Sequence, residues 1–265
     1  LLPDVYRFLF RAEVLAGAET LANVAVVLFV FLAGCEADRG VLRGSARMVV
    51  RIALSGLAVP WLLGGLAAFA MVTSLFPGDI AARLLGRSDP VLYAVAFGLA
   101  MSVTALPVLV VILRELGFMG RPIGTIALAI GGIDDMVLWA SVAVLLPFAA
   151  GEGVWSALAV ALGGGLATII LVGRIAAPFL ERLVAQEASE RILMSLVILT
   201  LFTASAITEA TGLHAVVGAF VTGLFLPDKL RHMSESRFDV PVTLLLLPFF
   251  FLATGLKTHF DFGDP

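Results

Sequence analysis

The sequence predicts an all-α polytopic membrane protein, and three observations carry that reading. Of 265 residues, 60% are hydrophobic and 14% charged, whereas a soluble domain has about a quarter of its residues charged and about half apolar. Mean hydropathy is +1.07. The apolar residues fall in long runs, and the basic residues collect between alternate runs.

Net charge is −3, which gives no reason to expect a nucleic-acid partner. The single cysteine, Cys35, excludes an internal disulfide and any CxxC metal site. The start, Leu1-Leu2-Pro3-Asp4, has no basic stretch before an apolar run, so no cleavable signal peptide is expected. It also lacks an initiator Met, and the chain is expected to be a fragment of one transmembrane domain covering 1–265.

A spanning helix needs about 20 mostly apolar residues at 1.5 Å each. Eight segments are expected: 17–34, 48–75, 91–113, 122–150, 154–180, 191–208, 213–227 and 240–256. The first ends at Glu36 and Asp38, which lie among arginines and are expected to form interfacial ion pairs. The second follows a basic loop, 39–51. The third holds Ser102, Thr104 and Pro107, and the fourth Asp134 and Asp135. Gly131-Gly132 in the fourth and Gly163-Gly164-Gly165 in the fifth suit close helix packing. The sixth ends at Glu209. The seventh covers only about 21 Å, so it must cross a thinned region or lie against protein. The eighth ends beside Lys257.

Placing the N-terminus outside and alternating gives basic inside loops. Arg39, Arg43, Arg47, Arg51, Arg114, Arg121, Arg174, Arg182, Arg191, Lys229, Arg231 and Arg237 then lie inside, twelve of the 17 basic residues. Arg7, Arg11, Arg83, Arg87 and Lys257 lie outside, with 79–89 and Glu152 on that side. Removing the short seventh segment would move the Lys229–Arg237 cluster outside.

Asp134 and Asp135 are the anomaly. They stand about twelve residues, roughly 18 Å, into their segment, near the middle of a 30 Å hydrocarbon core. An acid there costs about 2.5 kcal/mol or more, and its default reading is functional. The simpler account is a salt bridge, but no Lys or Arg lies at comparable depth, and Arg174 sits nearer a helix end. Consecutive helical residues point about 100° apart, so one carboxylate can coordinate a cation while its neighbour lines the cavity or meets a base. Competition of a proton and a cation for one carboxylate suffices for exchange, and the titration belongs to the pair.

The stretch Ser102-Val103-Thr104-Ala105-Leu106-Pro107 is the second feature. Pro107 removes a backbone N–H and crowds the carbonyl of Val103. Freed carbonyls and the hydroxyls of Ser102 and Thr104 can coordinate a hard cation. A plain proline kink is the alternative; the acidic pair one segment later favours the ion-binding reading. Glu209 reads as a locally hydrogen-bonded acid near an interface, and His214 as a packed histidine; either is at most an accessory group.

Several stretches resemble the second family of monovalent cation:proton antiporters. Leu28 to Asp38, LFVFLAGCEAD, is similar to that family's LFLAGLE-x-D helix end, with Cys35 in place of Leu. Ser102 to Leu109, SVTALPVL, resembles its broken helix, and Arg114-Glu115-Leu116-Gly117 with Ile133 to Trp139 its acidic helix. Gly212-Leu213-His214-Ala215 through Phe220, and Leu247-Pro248-Phe249-Phe250-Phe251 to Thr258, resemble two further motifs. The resemblance implies a sodium/proton antiporter-like bundle with a discontinuous helix, truncated at both ends. It implies a secondary transporter rather than an enzyme, with no cofactor, exchanging Na⁺ or K⁺ for protons by alternating access. Asp135 would be the ion- and proton-binding carboxylate. Asp134, which tilts toward sodium, would assist, while the GLHA and GLKT stretches look more like potassium-handling branches. Ala105 stands where some relatives carry a second acid. The resemblance also implies a homodimer in a lipid membrane, and a multi-pass location in a bacterial inner membrane is expected. The rival readings are a cation channel or non-exchanging transport module, and an intramembrane aspartyl protease. The protease needs two acids from different helices, whereas these are neighbours on one.

Overall fold

The computed structural model describes residues 12–75, 78, 89–150 and 154–257. Arg7, Arg11, Arg83, Arg87, Glu152 and Thr258 lie outside the described residues. Every regular element among the described residues is helical: α1 (Ala12–Glu36), α2 (Arg39–Ala70), α3 (Pro90–Ser102), α4 (Leu106–Glu115), α5 (Pro122–Ala150), α6 (Val154–Ile170), α7 (Ala177–Ala185), α8 (Glu190–Ala210), α9 (Ala215–Phe225), α10 (Asp228–Val240) and α11 (Leu247–Lys257). Among the described residues, seven continuous helical stretches are long and apolar enough to cross a membrane, and α9 is a shorter apolar one. The chain is an all-α, integral, multi-pass membrane protein.

Two basic stretches expected as loops are helical. Asp38 caps α2 by accepting from the N–H groups of Gly40 and Val41 at 2.7 and 3.3 Å, so 39–51 forms the first turns of α2. Residues 228–239 form most of α10. Charge alone does not interrupt a helix at an interface, because long arginine stems can carry their heads to water.

Among the described residues, three helices widen into π turns: Met71–Leu75, Leu171–Ala176 and Pro241–Leu246. Each ends two residues before a proline, Pro77, Pro178 or Pro248. A proline lacks the N–H for the usual bond and its ring crowds the carbonyl four residues back. At Pro178 and Pro248 the wider turn makes room for the ring without ending the helix.

The helices pack in two groups. α9, α10 and α11 surround α1, with α8 against α9, while α2 packs on α3 and α5, and α4 on α5. α1 is buried through its middle, with Phe29, Val30, Phe31, Leu32 and Ala33 all fully covered. Its crossing with α9 is tight: a Cβ on Gly223 would lie 2.1 Å from the Phe31 carbonyl oxygen, and one on Gly34 2.5 Å from that of Phe220. Only glycine at both positions lets the backbones meet. Outward residues such as Leu62, Leu63 and Leu66 are exposed on α2, as a lipid-facing surface requires.

Candidate functional site

The acidic pair and the broken helix are both present, and α4 brings them together. α3 ends at Ser102; Val103 and Ala105 are extended, and α4 restarts at Leu106 with Pro107 in its first turn. The first bond from α4 back across its start runs from the Leu109 N–H to the Ala105 carbonyl, 3.0 Å. The N–H groups of Leu106 and Val108 therefore have no intrahelical partner, Pro107 has none to offer, and the helix end carries partial positive charge. The Ser102 hydroxyl is buried and donates to the Leu99 carbonyl at 2.8 Å. Thr104 and Ala105 are exposed.

Asp134 and Asp135 sit in the middle of α5, 8% and 7% exposed. Among the described residues neither has a basic partner within ion-pair distance, and Asp134 Oδ1 has no hydrogen-bond partner. Asp135 borders a cavity of about 280 Å³ between α2, α5 and α9, whose lining includes Leu106, Gly132, Met136, Val217 and Phe220. Among the described residues it is the one ionisable group in that lining. Leu106, the first residue of α4, thus shares a cavity with the carboxylate. Glycines make the approach possible: Cβ atoms on Gly131 and Gly132 would lie 3.1 Å from Leu106 Cδ1 and 3.2 Å from Phe220 Cε1. Gly164 and Gly165 likewise face Thr211 and Leu213, whereas Gly163 faces open space. Ser102, Thr104, Ala105 and Pro107 do not line this cavity.

Glu209 and His214 together cap α9. The Glu209 carboxylate accepts from the Ala215 N–H at 2.8 Å, and His214 Nδ1 from the Val216 N–H at 3.3 Å. The His214 ring lies 4.7 Å from the Trp139 ring, one turn beyond Asp135 on α5. Lys257 is the last residue of α11.

A polar hub escaped sequence reasoning. The Arg114 guanidinium, at the end of α4, binds Glu36 of α1 at 2.5 Å, the Asp239 carboxylate of α10 and the Thr243 hydroxyl at 3.1 Å. It lies 5.2 Å from the Phe29 ring centroid. Glu36 thus makes its expected ion pair, whereas Asp38 is spent on the α2 cap. The available signal was that Glu36 and Arg114 each follow an apolar run, where a charge is half-desolvated and needs a partner. The hub ties the second half of the broken helix to the α1 group. Double-mutant analysis of Arg114→Gln and Glu36→Gln by thermal unfolding should give a coupling energy of about 1 kcal/mol or more; additive effects would mean that the pair contributes nothing as a pair.

A buried acidic pair thus lies beside a broken helix inside a helical membrane bundle. Residues 8–264 match the family model described as sodium/hydrogen exchanger, transmembrane. The chain belongs to that family. It is 29% identical to Cation/H(+) antiporter 19 of Arabidopsis thaliana, over 94% of this chain and 31% of that protein. It is 26% identical to the Na(+)/H(+) antiporter NhaS4 of Synechocystis, over 97% of this chain and 62% of that protein. It is also 26% identical to K(+)/H(+) antiporter 1 of Saccharomyces cerevisiae, over 97% of this chain and 30% of that protein. The chain therefore spans about a third of the plant and yeast relatives.

Proposed function

We propose that the protein exchanges a monovalent cation, Na⁺ or K⁺, for protons by alternating access. Asp135 would hold either the proton or the cation, assisted by Asp134. The observation that carries this reading is the Asp135 carboxylate, buried in an apolar cavity next to the start of α4 and, among the described residues, without a basic partner. A carboxylate placed there needs a positive charge, and a proton or a small cation each supplies one. The two helix groups, joined by the Arg114 hub, are the bodies whose relative movement would expose Asp135 to either side. Names of relatives include both sodium and potassium antiporters, so either ion is consistent with them. A homodimer is proposed on the family resemblance, and a bacterial inner (plasma) membrane on relatives from Synechocystis and Bacillus cereus.

The test is cation-dependent proton movement by the full-length protein in sealed vesicles, with Na⁺, K⁺ and Li⁺ compared. An imposed cation gradient should drive protons the opposite way. Cation flux without proton counter-movement would establish a channel instead. The aspartyl protease reading finds no second acid on a facing helix among the cavity residues.

Within this reading Thr104 and Ser102 contribute hydroxyl oxygens and Pro107 keeps the helix open, with Ala105 in its extended link. Thr104→Val retains shape and deletes a hydroxyl. It should weaken apparent cation affinity about tenfold, the value of one hydrogen bond to a charge, with little change in maximal rate. Unchanged affinity with lowered stability would reduce the stretch to a kink. Glu209 and His214, both committed to capping α9, are assigned only an accessory part.

A further inference from the structure

We propose that the first turns of α2 form a binding site for anionic phospholipid headgroups, built by Arg43, Arg47 and Arg51. The three stand at intervals of four residues after Arg39, so they follow one face of the helix at about 6 Å per step. Like charges four apart in a helix destabilise it, and this run does so repeatedly. Arg39 is compensated by Asp228 at 2.7 Å. Arg43, Arg47 and Arg51 have no ion pair among the described residues. All three are exposed and line a groove of about 730 Å³ with Ser45, Met48 and Ile52, with no acidic residue among the described lining residues. Arg43 also borders the neighbouring mixed-charge cavity of Asp228 and Arg231.

Depth and flanking chemistry select the occupant. From Ile52 to Leu75 the helix is uncharged, about 36 Å long, which by itself crosses a hydrocarbon core of about 30 Å. The arginine turns therefore stand in the headgroup layer. Met48 and Ile52, 45% and 44% exposed, share the groove with the arginines. A soluble anion would neutralise the guanidinium groups and leave this apolar surface bare. A phospholipid covers both, its phosphate on the arginines and its glycerol and upper chain on Met48 and Ile52.

The test measures Tm of the full-length protein in neutral detergent with added phosphatidylglycerol, phosphatidylcholine or inorganic phosphate. Phosphatidylglycerol should raise Tm by about 3 °C; the other two should not. The triple variant Arg43→Gln/Arg47→Gln/Arg51→Gln should lose the rise, whereas Arg182→Gln/Arg191→Gln, which removes exposed charge elsewhere, should keep it. If the triple variant does not fold, Arg47→Gln alone should lower the rise by a third or more. The proposal is overturned by no rise in the parent, by an equal rise with phosphatidylcholine or inorganic phosphate, or by an undiminished rise in the arginine variants. None of these readouts depends on transport, so a failed exchange assay leaves this result intact.

Discussion

Asp135→Asn should reduce cation-driven proton exchange in vesicles to the rate of empty ones. The amide keeps the shape and one oxygen, so the wall of the cavity beside Leu106 and Phe220 is unchanged in form and a cation can still be touched. It cannot take up and release a proton in the cycle, and it no longer supplies the negative charge that makes a proton and a cation competitors. Binding without coupling is the expected residue of activity. Asp134→Asn should be milder: Asp134 does not line the Asp135 cavity, and its removal should change the charge moved per cycle more than the turnover. Near-normal exchange by the Asp135→Asn protein, with expression and folding intact, would remove Asp135 from the centre of the mechanism.

The second large effect concerns folding. Gly223→Ala would drive a methyl to 2.1 Å from the Phe31 carbonyl oxygen and 2.8 Å from the Cys35 nitrogen. Both obstacles are backbone, so α1 and α9 must separate along their crossing. Helix propensity pulls the other way, favouring alanine by about 1 kcal/mol. Overpacking costs about 1–3 kcal/mol even where side chains can yield, and here they cannot, so destabilisation wins. Tm should fall by several degrees, and Gly223→Leu should yield no monodisperse protein. Gly163 provides the opposite case: a Cβ there meets nothing within 4 Å, propensity acts alone, and Gly163→Ala should raise Tm slightly. Equal responses at the two glycines would show that the α1–α9 crossing is looser than described.

The features legible in the sequence were those whose cost is local. An acid twelve residues into an apolar run, or a proline after two hydroxyl residues, announces itself because its neighbours along the chain cannot compensate it. Helix ends were less legible. Arg39 to Arg51 and Asp228 to Asp239 read as loops by charge, although the four-residue spacing of the arginines already matched a helix. The Arg114 hub depends on residues 36, 114 and 239 meeting across the bundle, and nothing in a chain-order reading pairs them. The same holds for the small cavity at Asp135, whose walls come from four helices and α4's first residue.

The π turns before Pro178 and Pro248 carry a consequence for the surfaces that follow them. A turn that holds one residue more than its neighbours advances the angular phase of everything downstream by about 100°. The polar side of α10 and the lipid side of α11 therefore do not belong to one continuous 3.6-residue pattern, although they share one helical rod. The rod from Asp228 to Lys257 can turn a face bearing Arg231, which donates to the Cys35 and Ala37 carbonyls, toward the bundle. Farther along it can still present Phe251 and Leu252 outward. Deleting a single residue from Pro241–Leu246 would restore an ordinary turn and leave Phe251 and Leu252 facing as they do now, whereas the same deletion within α10, with the wide turn kept, would turn them by about 100° relative to Arg231.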